Sequence, residues 1–108
     1  MKKNLRSYTK ASEKEKVRSE LKDTKPVVVR FYRESCPACQ MSSASWKLFC
    51  SKMKGSSYTC VEIEEEAIPE ELLQNITAFP TYAKHDKNGN KKVVGVQEDL
   101  VRALHLID

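Results

Sequence analysis

The join between Val27-Val28-Val29-Arg30-Phe31-Tyr32 and Cys36-Pro37-Ala38-Cys39 constrains this chain more than any other feature. The first run is almost wholly β-branched or aromatic, which predicts a strand covered on both faces at the centre of a sheet. Behind the second cysteine, Gln40 to Met53 contains no Gly or Pro and carries Met41, Ala44, Trp46, Leu48, Phe49 and Met53, with Gly55 as a stop. That pattern predicts a helix of about three to four turns. Tyr58 to Ile63 then alternates as a second strand, and a helical crossover between two strands argues for parallel pairing. The cysteine pair is therefore expected where a buried strand ends and a helix begins.

The remaining segments extend this unit in both directions. Ser12-Glu13-Lys14-Glu15 fits a capping box, and Val17 and Leu21 form a narrow apolar stripe, so residues 12–22 read as a short helix, preceded by an edge strand from Leu5 to Thr9. Pro69-Glu70-Glu71-Leu72-Leu73 predicts a brief helix over 69–76. Phe79-Pro80-Thr81-Tyr82 reopens a strand, and Asn88-Gly89 predicts a hairpin pairing about Thr81–His85 with Lys92–Val96. Glu98 to Leu104 closes as a helix with Leu100, Leu104 and Ile107 inward. The expected order is β-α-β-α-β-α-β-β-α, a single α/β domain over residues 1–108 with helices on both faces of a central sheet.

A length of 108 residues suffices for one packed core, and apolar and charged fractions of 40% and 31% exclude a disordered chain. No apolar run approaches the roughly 18 residues of a membrane span. The N-terminal MKKNLRSYTK is basic but lacks an apolar stretch behind it, so a cytoplasmic, reducing location is expected. Four cysteines are too few for a disulfide scaffold and point to chemistry instead. Residues 1–30 carry ten Lys or Arg against four acids, whereas residues 55–83 carry six Glu and no basic residue. Because Glu13, Glu15 and Glu20 intersperse the basic segment, it reads as a solvated helix face and no nucleic-acid partner is expected.

At a helix N-terminus, unpaired N–H groups and the macrodipole stabilise an anion by roughly 0.3–2 kcal/mol. Cys36 is thus expected to be a thiolate nucleophile with its pKa below the usual value of about 8.5. Pro37 suits the first helical position, where its missing N–H has no intrahelical partner. Cys39 then lies on the same side of the first turn, close enough to close a disulfide. Half of a zinc site is the competing reading of a Cys-x-x-Cys, but Cys50 and Cys60 form no second such pair, and His85 and His105 are distant in sequence. No metal and no organic cofactor is expected. Cys50 and Cys60 read as buried small hydrophobes.

Taken together, the strand leading to Cys36-Pro37-Ala38-Cys39, the long helix, Ile76-Thr77-Ala78-Phe79-Pro80-Thr81, the Asn-Gly hairpin, Val94-Gly95 and the terminal helix resemble the thioredoxin family over almost the whole chain. The resemblance implies a thioredoxin fold with a mixed sheet and a thiol–disulfide oxidoreductase that exchanges disulfides with protein substrates. It also implies a cis Pro80, Phe79 as the backbone docking residue for an extended substrate, and thioredoxin reductase or glutathione as electron donor. A monomer is expected. Ser35 replaces the family's aromatic residue before the first cysteine, and Pro-Ala stands between the thiols. Cys-Pro-Ala-Cys is also similar to the glutaredoxin pattern, but the glutathione-binding segments of that family are lacking.

The buried acid that thioredoxins carry six residues before the first cysteine is Arg30 here. An arginine cannot accept a proton from the second thiol and can only favour a nearby anion. One reading has Arg30 beside the dithiol, tuning its pKa values and raising the reduction potential. The other has it snorkel to the sheet edge or pair with Glu62. Glu62 to Glu66, with Glu70 and Glu71, either forms a negative rim attracting basic targets or solvates a loop and loads a helix N-terminus. A weakly catalytic or non-catalytic binding module that holds a partner at Phe79-Pro80 is the alternative function. An oxidase, isomerase or glutaredoxin-like activity is a further variant.

Overall fold

The computed structural model describes residues 5–24 and 26–106. Its elements are β1 (Leu5–Tyr8), α1 (Lys14–Asp23), β2 (Val27–Tyr32), α2 (Pro37–Lys52), β3 (Thr59–Glu64), α3 (Glu70–Leu73), β4 (Thr81–Asp86), β5 (Gly89–Val94) and α4 (Leu100–Ala103). The strands form one sheet in the order β1-β3-β2-β4-β5. β2, with five of its six residues buried, is the middle strand. It runs parallel to β3, which is itself parallel to β1, and antiparallel to β4. This is a single thioredoxin-fold domain, a mixed sheet flanked by helices.

Alternation along the strands divides the core in two. Val27, Val29, Phe31, Val61, Ile63 and Ala83 pack with Val17 and Leu21 of α1 and Leu72 and Leu73 of α3. On the opposite face, Val28, Cys60 and Tyr82 pack with Trp46 and Cys50 of α2 and Leu100 of α4. Helix α2 turns Cys39, Ser42, Trp46 and Cys50 inward at spacings of three and four residues, while Met41 (78% exposed) and Leu48 (58%) face solvent. Apolar character alone thus overstates the buried stripe, which includes two cysteines and a serine. Among the described residues no helix is long and apolar enough to cross a membrane.

Local corrections concern ends and registers. The reach-back acid at the first helix is Glu13, whose carboxylate accepts the Thr9 and Lys10 N–H groups, rather than Glu15, which pairs with Arg18. A 3-10 turn at Ala11–Glu13 therefore precedes α1. The hairpin pairs Thr81 with Val94 and Asp86 with Gly89, so the second strand starts earlier than expected. Asp86 accepts the Asn88 N–H at 2.8 Å, which places the turn at Lys87-Asn88 and leaves Gly89 at φ +113°. Helix α3 spans only four residues, with Pro69 at its N-cap. Helix α4 begins at Leu100, because Asp99 caps it by accepting the Arg102 N–H at 3.2 Å, and His105 ends the turn with φ +53°. Leu100 and Leu104 are buried as expected, and Leu106 joins them in the core, whereas Ile107 lies outside the described residues.

Candidate active site

Strand β2 ends at Tyr32, and four residues later Cys36 occupies the N-cap of α2 with Pro37 in the first turn. The extended backbone of Cys36 turns its side chain back over the helix end, so Sγ accepts the Cys39 N–H at 3.2 Å. A residue type uncommon at caps thus fills the capping role with its sulfur. Burial pushes the Cys36 thiol up. The Cys39 thiol, the backbone N–H groups of Cys39 and Ala38 and the Arg33 guanidinium more than offset this and hold it below the ordinary thiol range. Cys39, 2% exposed, is pushed up to about 11, first by burial and then by the adjoining Cys36 sulfur, against the Arg33 backbone and the Arg30 charge. The two thiols act on each other and are of unequal acidity, one partly exposed and held below the ordinary thiol range, the other buried and protonated.

The loop before β4 closes over this pair. The Phe79–Pro80 peptide is cis. In its thiol form Cys36 Sγ donates to the Phe79 carbonyl at 3.6 Å, so the segment expected to dock substrate borders the first sulfur. Gly95 N–H donates to the Pro80 carbonyl at 2.8 Å and ties this loop to the end of β5.

Arg30 follows the first of its two readings in position. It is 3% exposed, and Nη2 donates to the Cys39 carbonyl at 2.6 Å and to Ser42 Oγ at 3.2 Å. Its guanidinium stacks 4.8 Å from the Tyr32 ring centre. Arg30 and Glu62 are register partners, but among the described residues no ion pair joins them. Glu62 instead accepts from Ser7 Oγ at 2.8 Å and Trp46 Nε1 at 2.9 Å.

The cation acting on Cys36 is Arg33, which the sequence reading did not single out. Its guanidinium lies 4.9 Å from the Phe79 ring centre and forms a two-pronged pair with Glu65, at 3.0 and 2.9 Å. Its sequence signal was available, a basic residue in the short loop between strand and cap. The acidic segment is largely engaged inside the molecule. Glu65 holds Arg33, Glu64 accepts the Glu66 and Glu34 N–H groups, Glu70 pairs with Lys14 at 2.5 Å, and Glu71 pairs with Arg18 at 2.7 Å. This favours the loop-solvating reading over a free negative rim. Among the described residues no group of three or more His, Cys, Asp or Glu is placed to hold a metal ion.

The thioredoxin family profile matches residues 8–105. The chain belongs to the thioredoxin family. Comparison with curated protein sequences returned no match. Among solved structures, the chain is similar to mitochondrial thioredoxin 3 of Saccharomyces cerevisiae in its oxidized form, at 19% identity over 86% of this chain and 85% of that one, with a TM-score of 0.66. It is similar to a Malassezia sympodialis thioredoxin at 16% identity over 94% and 88%, with a TM-score of 0.72. For Plasmodium falciparum thioredoxin the values are 16%, 90% and 92%, with a TM-score of 0.70. At these identities the structures speak for the fold, while the family profile together with the thiol pair marks this thioredoxin-family chain as suited to redox chemistry.

Proposed function

We propose that this chain is a thiol–disulfide oxidoreductase acting on protein disulfides, with Cys36 as the attacking sulfur and Cys39 as the resolving one. The observation that carries this reading is the unequal pair at the N-cap of α2: a thiol held below its usual range beside one pushed up to about 11. The Cys36 thiolate attacks a substrate disulfide, forming a mixed disulfide and releasing one substrate thiolate. Cys39, losing its proton, then attacks the Cys36 sulfur, releases the second substrate thiolate and leaves Cys36 and Cys39 joined. Two electrons from thioredoxin reductase or glutathione restore the dithiol. Phe79 and Pro80 hold the substrate backbone beside Cys36, and Pro37 sets the start of the helix that caps it. Arg30 favours the anionic form of Cys39 during resolution, and no acid stands in its place to accept the proton. A reducing compartment such as the cytoplasm suits this activity.

Insulin reduction with dithiothreitol as electron source tests the proposal. The chain should accelerate precipitation of the insulin B chain well above background, Cys36→Ser should abolish the acceleration, and Cys39→Ser should accumulate a mixed disulfide with the substrate. Partner binding with no reduction, unchanged by Cys36→Ser, would instead support a binding module.

A further inference from the structure

Cys50 and Cys60 take no part in the chemistry proposed above. Cys50 lies in the last turn of α2 and is 3% exposed; Cys60 lies in β3 and is fully buried. Both belong to the core cluster built around Trp46, Tyr58 and Tyr82, and their side chains are hydrogen-bonded to each other. The pairing follows from the register of helix against strand. Helix α2 runs back along the sheet, and Trp46 meets Glu62 through its 2.9 Å hydrogen bond. Four residues further along the helix, about 6 Å, brings Cys50 into line with the residue two positions earlier on the same face of β3, about 6.6 Å away, which is Cys60. No disulfide joins them.

We infer that Cys50 and Cys60 are a second dithiol, which a low-molecular-weight disulfide such as oxidised glutathione converts to an intramolecular disulfide pinning the end of α2 to β3. One thiol, as its thiolate, displaces a glutathione thiolate and forms a mixed disulfide; the other then displaces the second glutathione. The pair loses two electrons and two protons, and the oxidant becomes two thiols. The dithiol at the other end of α2 cannot supply this oxidation within the same molecule. Eleven residues of helix, about 16 Å, separate Cys39 from Cys50, and exchange needs sulfur–sulfur contact. Hydrogen bonding to Cys60, followed by burial, drives the Cys50 thiol far above its ordinary range, so oxidation waits for local opening of the connection between the two residues. The same burial shields the disulfide once formed. Its consequence is a stability set by the thiol–disulfide balance, independent of Cys36 and Cys39.

The test uses the full chain carrying Cys36→Ser and Cys39→Ser, so failure of the proposed oxidoreductase activity does not affect it. The protein is incubated folded with oxidised glutathione and, separately, refolded from denaturant in a mixture of reduced and oxidised glutathione. Each sample is quenched in acid, alkylated and mapped by mass spectrometry. The expected product has lost two hydrogens, carries no glutathione, links the Cys50 and Cys60 peptides, and melts higher by on the order of 10 °C, a gain removed by dithiothreitol. The gain should vanish when Cys60→Ala is added. Two alkylated thiols, or a retained glutathione adduct, in protein refolded from the redox mixture overturns the inference, because there both sulfurs were exposed during folding.

Discussion

At the scale of single residues, two arginines three positions apart divide the work around the sulfurs. Arg33 is half exposed, stacked on Phe79 and held by Glu65, and it acts on Cys36. Replacing it with Gln should raise the Cys36 pKa and slow iodoacetamide alkylation at pH 6 by roughly two- to fivefold, a size typical of screened surface charges. The difference should shrink as salt is added, and a salt-independent loss would argue against a charge effect. Arg30 sits deep, on the Cys39 carbonyl, and its charge reaches Cys39. Arg30→Asp exchanges a cation for a carboxylate that repels thiolate, which weakens the reduced form. The reduction potential against glutathione should fall by on the order of 30 mV for each 1.4 kcal/mol lost. An unchanged or higher potential would remove Arg30 from the tuning role.

Among the elements, the weakest by sequence are fixed by contacts that join distant segments. Strand β1 has four residues and lies at the sheet edge, where it would fray without an anchor. Its anchor is Glu20 of α1, 6% exposed, which receives Arg6 Nη1 on both oxygens, at 2.8 and 2.9 Å, the Tyr8 hydroxyl at 2.9 Å, and the Thr24 hydroxyl. Burial raises the Glu20 pKa, yet the donors around it win and hold the carboxyl below its usual range. Glu20→Gln replaces one acceptor with a donor facing donors. With Arg6 half exposed and able to turn to water, the cost should be about 1–2 kcal/mol in a denaturant titration. The same logic explains why local pattern misplaced ends but not elements. Val17 and Leu21 made the first helix legible, but whether Glu13 or Glu15 reaches back depended on where the chain leaves β1. The hairpin was legible from Asn88-Gly89, but its register followed the Asp86 side chain, which competes for the Asn88 N–H.

For the whole molecule, five carboxylates engaged by donors share one direction of shift. Glu13, held by backbone N–H groups, Glu20, Glu70, Glu71 at about 2 and Asp86 all lie below the usual carboxylate range. Asp86 is lowered first by the Tyr58 hydroxyl and, against burial, by Lys84, whose ammonium lies 2.9 Å away with both side chains nearly buried. A carboxyl with a depressed folded-state pKa contributes stability that is complete above its unfolded value and lost as pH falls through the folded one. The melting temperature should therefore stay level from pH 7 to about 5 and fall progressively below about 4. A steep loss already between pH 7 and 6 would contradict this assignment.

Read by itself, the sequence determined the element order, the central strand, the position of Cys36 and Cys39 at a helix start, and the family, because each depends on periodicity or on neighbours within a few residues. Only the tertiary structure decided that Arg30 turns to Cys39 rather than to Glu62, that Arg33 serves Cys36, that the glutamates are engaged internally, and that Cys50 meets Cys60. Those outcomes depend on the register of α2 and β3 against β2 and on which charges lie close enough to pair. Coulomb energy and hydrogen bonding fall off over a few ångströms, whereas sequence patterns fix a residue's face without fixing its partner across the sheet.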